Sequence, residues 1–268
     1  MANESIVTAA IVLRRADYGD YDRMLTLLSP ELGKFSAIAR GVKKPKSRLS
    51  AAAEPFCASE FQLRERSGRY SVEQCSIVEA FLPIREDYEK LVHAAYWLKL
   101  AEWAAVENVP NPELFQLLMD ALAALSQNHV PLSMTTLAFE AHYLALLGMA
   151  PNVEECVLCG APLSGGERFD AGEGGLICQK HVGGVPLTEG ARRILLKLPR
   201  TRFSQYVLLD GRAEWPEAAK LLRAFVRYHI DAAIKKVSGF GFLMFQPACT
   251  RLYIIRTREA LGCNTIEP

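Results

Sequence analysis

The spacing of apolar and polar positions changes near residue 83, from a period of two to a period close to 3.6. Before the change the apolar runs are short. Residues 8–13 form a β-branched and apolar run, and residues 24–28 and 34–40 form two more, joined through Ser29-Pro30-Glu31-Leu32-Gly33, where Pro and Gly signal a hairpin turn. Over residues 56–63, Cys57, Ser59, Phe61 and Leu63 share one face while Glu60, Gln62 and Arg64 point the other way. A Ser67-Gly68 turn then leads into a further strand over 70–78. Five short strands within about eighty residues predict a small closed barrel; strand count alone does not separate an OB-fold from an SH3-like barrel.

Beyond Pro83 the pattern is helical. Leu91, Ala94, Ala95, Leu98, Ala101 and Ala105 form one stripe, and Leu114, Leu117, Leu118, Ala121, Leu122 and Leu125 form another, entered after the breaker Val109-Pro110-Asn111-Pro112. Trp97 and Trp103 read as core or inter-helix anchors. A third helix over 133–147 stops at Gly148, and Thr188 caps a fourth that ends at Pro199. The last helix, over 215–237, carries apolar Leu221, Leu222, Phe225 and Ile230, with Lys220, Arg223 and Arg227 along another face. Residues 252–257 alternate as a strand does. The expected organisation is α+β and multidomain: a barrel over 1–82, a helical domain over 83–150 and 187–268 ending in an atypical tail after Gly239, and a cysteine-bearing insertion over 151–186.

Composition narrows the function. Half of the 268 residues are hydrophobic, enough for a sizeable core, and the net charge is only +1, so nucleic-acid binding would have to come from charge asymmetry along the chain. Such asymmetry exists. Residues 14–48 hold nine Lys/Arg against four acids, and the six basic residues from Lys34 to Arg48 have no acid among them. A phosphate backbone is the natural counterpart, although a charge run alone equally suits a solvated loop. With no basic leader and no run of some eighteen apolar residues, the chain reads as cytoplasmic with no membrane partner. Cys57, Cys75, Cys249 and Cys263 stand singly, which fits a reducing compartment.

The other three cysteines belong together. Cys156-Val157-Leu158-Cys159 is separated by 18 residues from Cys178-Gln179-Lys180-His181, a spacer that begins with Gly160 and whose Gly165-Gly166 and Gly174-Gly175 pairs read as a returning hairpin. Each two-residue gap lets two side chains converge on one ion, and four N/S ligands close a tetrahedral site. The expectation is one structural Zn²⁺ held by Cys156, Cys159, Cys178 and His181, with no catalytic residue.

The order Ala10-Ile11-Val12-Leu13, Tyr18-Gly19-Asp20-Tyr21-Asp22, Leu27-Leu28-Ser29-Pro30-Glu31-Leu32-Gly33-Lys34 and Ala39-Arg40-Gly41-Val42-Lys43-Lys44 resembles the N-terminal domain of the bacterial recombination mediator family RecO. The resemblance covers residues 8–237 and implies an OB-fold for the barrel. Relatives often carry four cysteines at the metal positions, where this chain has His181 as the fourth. The resemblance further implies a non-enzymatic protein that binds single- and double-stranded DNA and anneals complementary strands. With RecR it would help load RecA onto DNA coated with single-strand-binding protein (SSB).

Residues expected at the DNA are Arg14, Arg15, Lys34, Arg40, Lys43, Lys44, Lys46 and Arg48, with Tyr18, Tyr21 and Phe35 as candidates for base stacking and Phe35 the better core residue. Lys220, Arg223 and Arg227 are candidates to receive the acidic SSB tail. Two other function classes compete with this reading. A metalloenzyme would need an open zinc site and a general base, and there is no His-Glu-x-x-His, no nucleobase-deaminase pattern and no Walker-type phosphate loop. A zinc-stabilised adaptor without direct DNA binding is the alternative, and the basic segment counts against it.

Overall fold

The computed structural model describes residues 5–127, 130–209 and 213–231. They divide between two compact units, which meet in sequence at Ser126 and Gln127.

The first unit is built on a closed barrel of β1 (Ser5–Tyr18), β2 (Asp22–Ser29), β3 (Gly33–Ala39), β4 (Ala58–Arg66) and β5 (Arg69–Glu79), in the order β1-β2-β3-β5-β4. This is an OB-like arrangement. β1 is longer than its apolar run suggests, because it serves two neighbours. Residues 5–11 pair with β4, residues 11–18 pair with β2, and a bulge between Val12 and Arg14 bends the strand from one partner to the other. β2 and β3 form the expected hairpin, β4 and β5 a second, and a short parallel pairing of Ala37 and Ile38 with Tyr70 and Ser71 closes the wall.

Alternation decides what fills the barrel. Val12, Leu25, Leu27, Phe35, Ala37, Phe61 and Leu63 are buried together inside, and Phe35 is core at 2% exposure. The 18 residues between β3 and β4 are a chain of turns, closed by Lys44→Gly41, Ser47→Lys44, Ala53→Leu49 and Cys57→Glu54 backbone hydrogen bonds. Val42 and Ala53 of this loop join the core while its lysines face out.

Three helices complete the unit: α1 (Leu82–Glu86), α2 (Tyr88–Ala104) and α3 (Pro112–Ser126). Asp87 caps α2, accepting from the amides of Glu89 and Lys90. α2 packs on β1 and α3 on β2, which explains why Ile11 and Leu28, register partners of opposite parity to the barrel interior, are also fully buried. The six residues of the predicted α3 stripe are its buried residues. On α2 Trp97 is buried as expected; Leu91 and Ala95 of the predicted stripe are only half-buried, because Tyr96, Trp97 and Leu100 widen the covered face.

The second unit is built around α4 (Leu132–Leu146), buried on nearly every side from Thr135 to Ala141. It stops where Gly148 turns to a φ of 67°. Then come β6 (Arg168–Asp170), β7 (Gly175–Ile177) and β8 (Val185–Pro186), a small sheet in the order β7-β6-β8. α5 (Glu189–Lys197) follows, its first turn capped by the Thr188 hydroxyl, which accepts from the Ala191 amide at 3.2 Å. α6 (Trp215–Val226) continues through one π turn to Asp231. The 3-10 turns over 198–200 and 203–208 lie against α4, with Thr135 bonded to Tyr206 at 2.8 Å and the His142 ring between the carbonyls of Ala138 and Thr201. Leu221, Leu222, Phe225 and Ile230 are buried as expected. The rest of the helix expected to reach 237, the strand expected over 252–257, Cys249 and Cys263 lie outside the described residues.

Candidate nucleic-acid interface and metal centre

The four candidate metal ligands are positioned by two turns and one strand. At the first turn Gly160, at a φ of 67°, reverses the chain and its amide donates to the Cys156 carbonyl at 2.8 Å, bringing the Cys156 and Cys159 side chains to one side. The Val157 amide fastens this turn to Leu176 of β7 at 2.9 Å. Cys178 leaves the end of β7, and the His181 amide donates back to its carbonyl at 3.1 Å, a second turn of similar span. The three sulfurs and a His181 ring nitrogen then lie within 4.8 Å of one another.

This donor set fits a metal ion. The Cys159 and Cys178 sulfurs are 3.9 Å apart, close to the roughly 3.8 Å that a tetrahedral ion with ~2.3 Å metal–sulfur bonds would impose. His181 Nε2 is buried with no hydrogen-bond partner among the described residues, a cost that a coordinated ion would remove. Burial pushes the Cys156 thiol up, but amide hydrogen bonds from Cys178, Leu158 and Cys159 outweigh it and bring the group down to about 6. A thiolate at neutral pH is the form that ligates. Four protein ligands leave no open position, so the centre is suited to holding structure.

The basic residues expected to form one barrel face lie in three places. Arg14 pairs with Glu102 at the end of α2 at 3.0 Å, and the Lys34 ammonium donates to the Glu102 carbonyl at 2.9 Å. Arg15 is buried and bound to Glu54, a carboxylate that also receives Arg23 and Arg85. Arg15 therefore serves an internal contact, while Lys34 is half-buried and Arg14 stays exposed although paired. Arg40, Lys43, Lys44, Lys46 and Arg48 are all exposed. Their loop is tied to the β1–β2 turn: the Gly41 amide donates to Asp22 at 2.7 Å, the Lys43 amide to the Tyr21 carbonyl at 2.9 Å, and Lys44 sits over the Tyr21 ring. The Lys43 ammonium meets Asp17 at 2.9 Å, and this hydrogen bond is the main cause holding the Asp17 carboxyl below its usual range.

Beside this loop a groove of about 1160 Å³ runs across the barrel, walled by Tyr18 and Asp22 of the β1–β2 turn, Arg40 after β3, and the tip of the β4–β5 hairpin. That tip supplies Arg64, Arg66, Arg69 and Tyr70, none of which the sequence reading selected. Arg64 is paired with Glu73, while Arg66 and Arg69 are exposed and make no ion pair among the described residues. Tyr70 meets Phe35 edge-on at 5.3 Å, and Tyr18 is 58% exposed at the opposite wall. The signal was present as three arginines flanking the Ser67-Gly68 turn. Lys220 of α6 and Arg227 of the π turn after it are exposed, and Arg223 of α6 is half-buried.

Residues 1–81 match the family model for the recombination protein O N-terminal domain, and residues 85–238 that for its C-terminal domain. The chain belongs to the RecO family. It is 36% identical over 241 residues to the DNA repair protein RecO of Anaeromyxobacter sp. (strain K), covering 85% of this chain and 92% of that relative. The DNA repair protein RecO of Pelotomaculum thermopropionicum is 36% identical over 239 residues (87% and 91%), and that of Acetivibrio thermocellus 33% over 236 residues (86% and 94%). The RecO match thus takes in the barrel with its groove and the whole metal-ligand set. Among the described residues no helix is long and apolar enough to cross a membrane.

Proposed function

We propose that this protein is a non-enzymatic recombination mediator that binds single- and double-stranded DNA, anneals complementary strands and, with RecR, helps load RecA onto SSB-coated DNA at the bacterial nucleoid. The observation that carries the reading is the groove between the β1–β2 turn and the β4–β5 hairpin, edged by Arg40, Arg66 and Arg69 and adjoining the exposed loop of Lys43, Lys44, Lys46 and Arg48. In five-stranded barrels of this kind these two loops and the strands between them hold oligonucleotides. Cations there neutralise phosphates, and exposed Tyr18 offers a face on which a base can stack. Annealing needs no bond to be made or broken in the strands, only reduced repulsion between two backbones. The Cys156, Cys159, Cys178 and His181 centre holds one structural zinc, and the stripe of Lys220, Arg223 and Arg227 receives the acidic SSB tail.

The test is a salt titration of DNA affinity. With about five effective phosphate contacts, a fourfold rise in salt should weaken binding roughly a hundredfold on single strands and several hundredfold on duplex, with little dependence on sequence. Changing Lys43, Lys44 and Lys46 together to Ala should flatten that slope and slow annealing while leaving zinc content unchanged, since all three side chains lie on an exposed loop. Unaltered affinity and annealing in this variant would return the protein to a zinc-stabilised adaptor.

A further inference from the structure

The geometry points to a second phosphate-binding surface, along α5 in the second unit, that takes the backbone of a separate single strand. α5 buries Ala191, Ile194 and Leu195. Its opposite face presents Arg193 and Lys197, continued by Arg200 and Arg202 in the turns that follow, and all four are exposed. Spacings of four residues from Arg193 to Lys197 and three from Lys197 to Arg200 put these cations about one helical turn, roughly 5 Å, apart along the axis, and Arg202 follows two residues on, after the extended Thr201. That is a repeating row of charge, matched by a repeating phosphodiester and less well by the few carboxylates at the end of an acidic peptide.

Glu214 against Gly190 and Glu217 on Thr188 put acid at the N-terminal end of α5, and beyond that end the row meets little opposing charge. Arg193, Lys197 and Arg202 make no ion pair among the described residues, and Glu189 of the same helix is directed to Arg192. Arg200 does meet Glu154 at 2.6 Å, but both side chains are more than half exposed, so a phosphate can replace that carboxylate at small cost. A lysine in the last turn of a helix is favoured by the helix dipole whether or not anything binds. The dipole does not account for Arg193 in the body of the helix or for Arg202 beyond its end.

The inference rests on the reading that the barrel holds DNA. Annealing by one chain then acquires a physical basis, with one strand on the barrel and its complement on α5, both partly neutralised before they pair.

The experiment counts strands bound to the full zinc-loaded chain, using an oligothymidylate of about a dozen nucleotides, within the size range of one OB-fold site. Wild type should bind two per chain. Arg193→Gln/Lys197→Gln/Arg202→Gln should bind one, with the tighter event within about twofold of wild type and annealing of complementary mixed-sequence strands at least roughly tenfold slower. Gln keeps helix propensity, so an unchanged thermal midpoint checks the fold. The Lys43, Lys44 and Lys46 variant should still bind two strands, the barrel event weaker and with a flatter salt slope, because Arg40, Arg66 and Arg69 remain at the groove. An α5 variant that still binds two strands, or anneals at the wild-type rate, overturns the proposal, as does an α5 face that binds polyglutamate but no oligothymidylate. If the barrel variant leaves the affinity and salt slope of both events unchanged while the α5 variant loses one, the α5 surface stands and the barrel assignment falls.

Discussion

Cys159 is the exposed member of a ligand set whose other three members are partly or fully covered. Cys159→Ser should therefore reach solvent without a packing clash while removing one thiolate from the site. Zinc should fall from about one per chain, measured by elemental analysis, and the thermal midpoint should drop, because metal binding contributes on the order of 10 kcal/mol to ordering such a segment. Glu31 allows a pH test at single-residue scale. The Thr8 hydroxyl, donating at 2.6 Å, is the main cause holding its carboxyl below the usual range; burial opposes this and Ser29 adds to it. A lowered folded-state pKa gives stability that is complete above the unfolded value and lost as pH falls through the folded one. Glu31→Gln should thus lower the urea midpoint at neutral pH, and the gap from wild type should close in acid; a gap that stays constant would exclude the linkage.

Among elements, the β2–β3 hairpin and α3 set the firmest constraints on the first unit. Gly33 sits at a φ of 68°, and an added Cβ would lie 1.9 Å from the Val109 carbonyl oxygen, in a segment whose Asn108 amide also bonds the Lys34 carbonyl at 2.9 Å. Gly33→Ala should cost more than about 2 kcal/mol in denaturant unfolding, since both backbone conformation and space are denied. Leu118 is fully buried at the centre of the α3 stripe, and Leu118→Ala should cost roughly 2–5 kcal/mol by leaving a cavity. The α3 stripe was legible residue by residue, because six apolar positions at helical spacing leave one face to bury. The α2 stripe was only partly so: large aromatic residues beside it take part in packing that periodicity does not register.

At the scale of the molecule, DNA affinity should depend on the groove as well as on the loop. Arg66→Ala with Arg69→Ala should lower the salt slope by roughly 0.7 per lost contact on single strands, read from the same titration, with the fold intact because both side chains are exposed. Spacing along the chain was enough to specify the barrel's strand runs, the hairpin turns and the clustering of Cys156, Cys159, Cys178 and His181. Each depends on residues close in sequence or on coordination chemistry that only a few residue types satisfy. The fate of the charges depended on the fold. Arg15 and Glu54 are 39 residues apart and Arg14 and Glu102 are 88 apart, so which cations are paired with an acid and which are not was decided by strand register and by where α2 ends. The groove likewise draws its walls from residues between Tyr18 and Asn108. No local pattern encodes it, because a concave surface exists only once distant segments are closed into one wall.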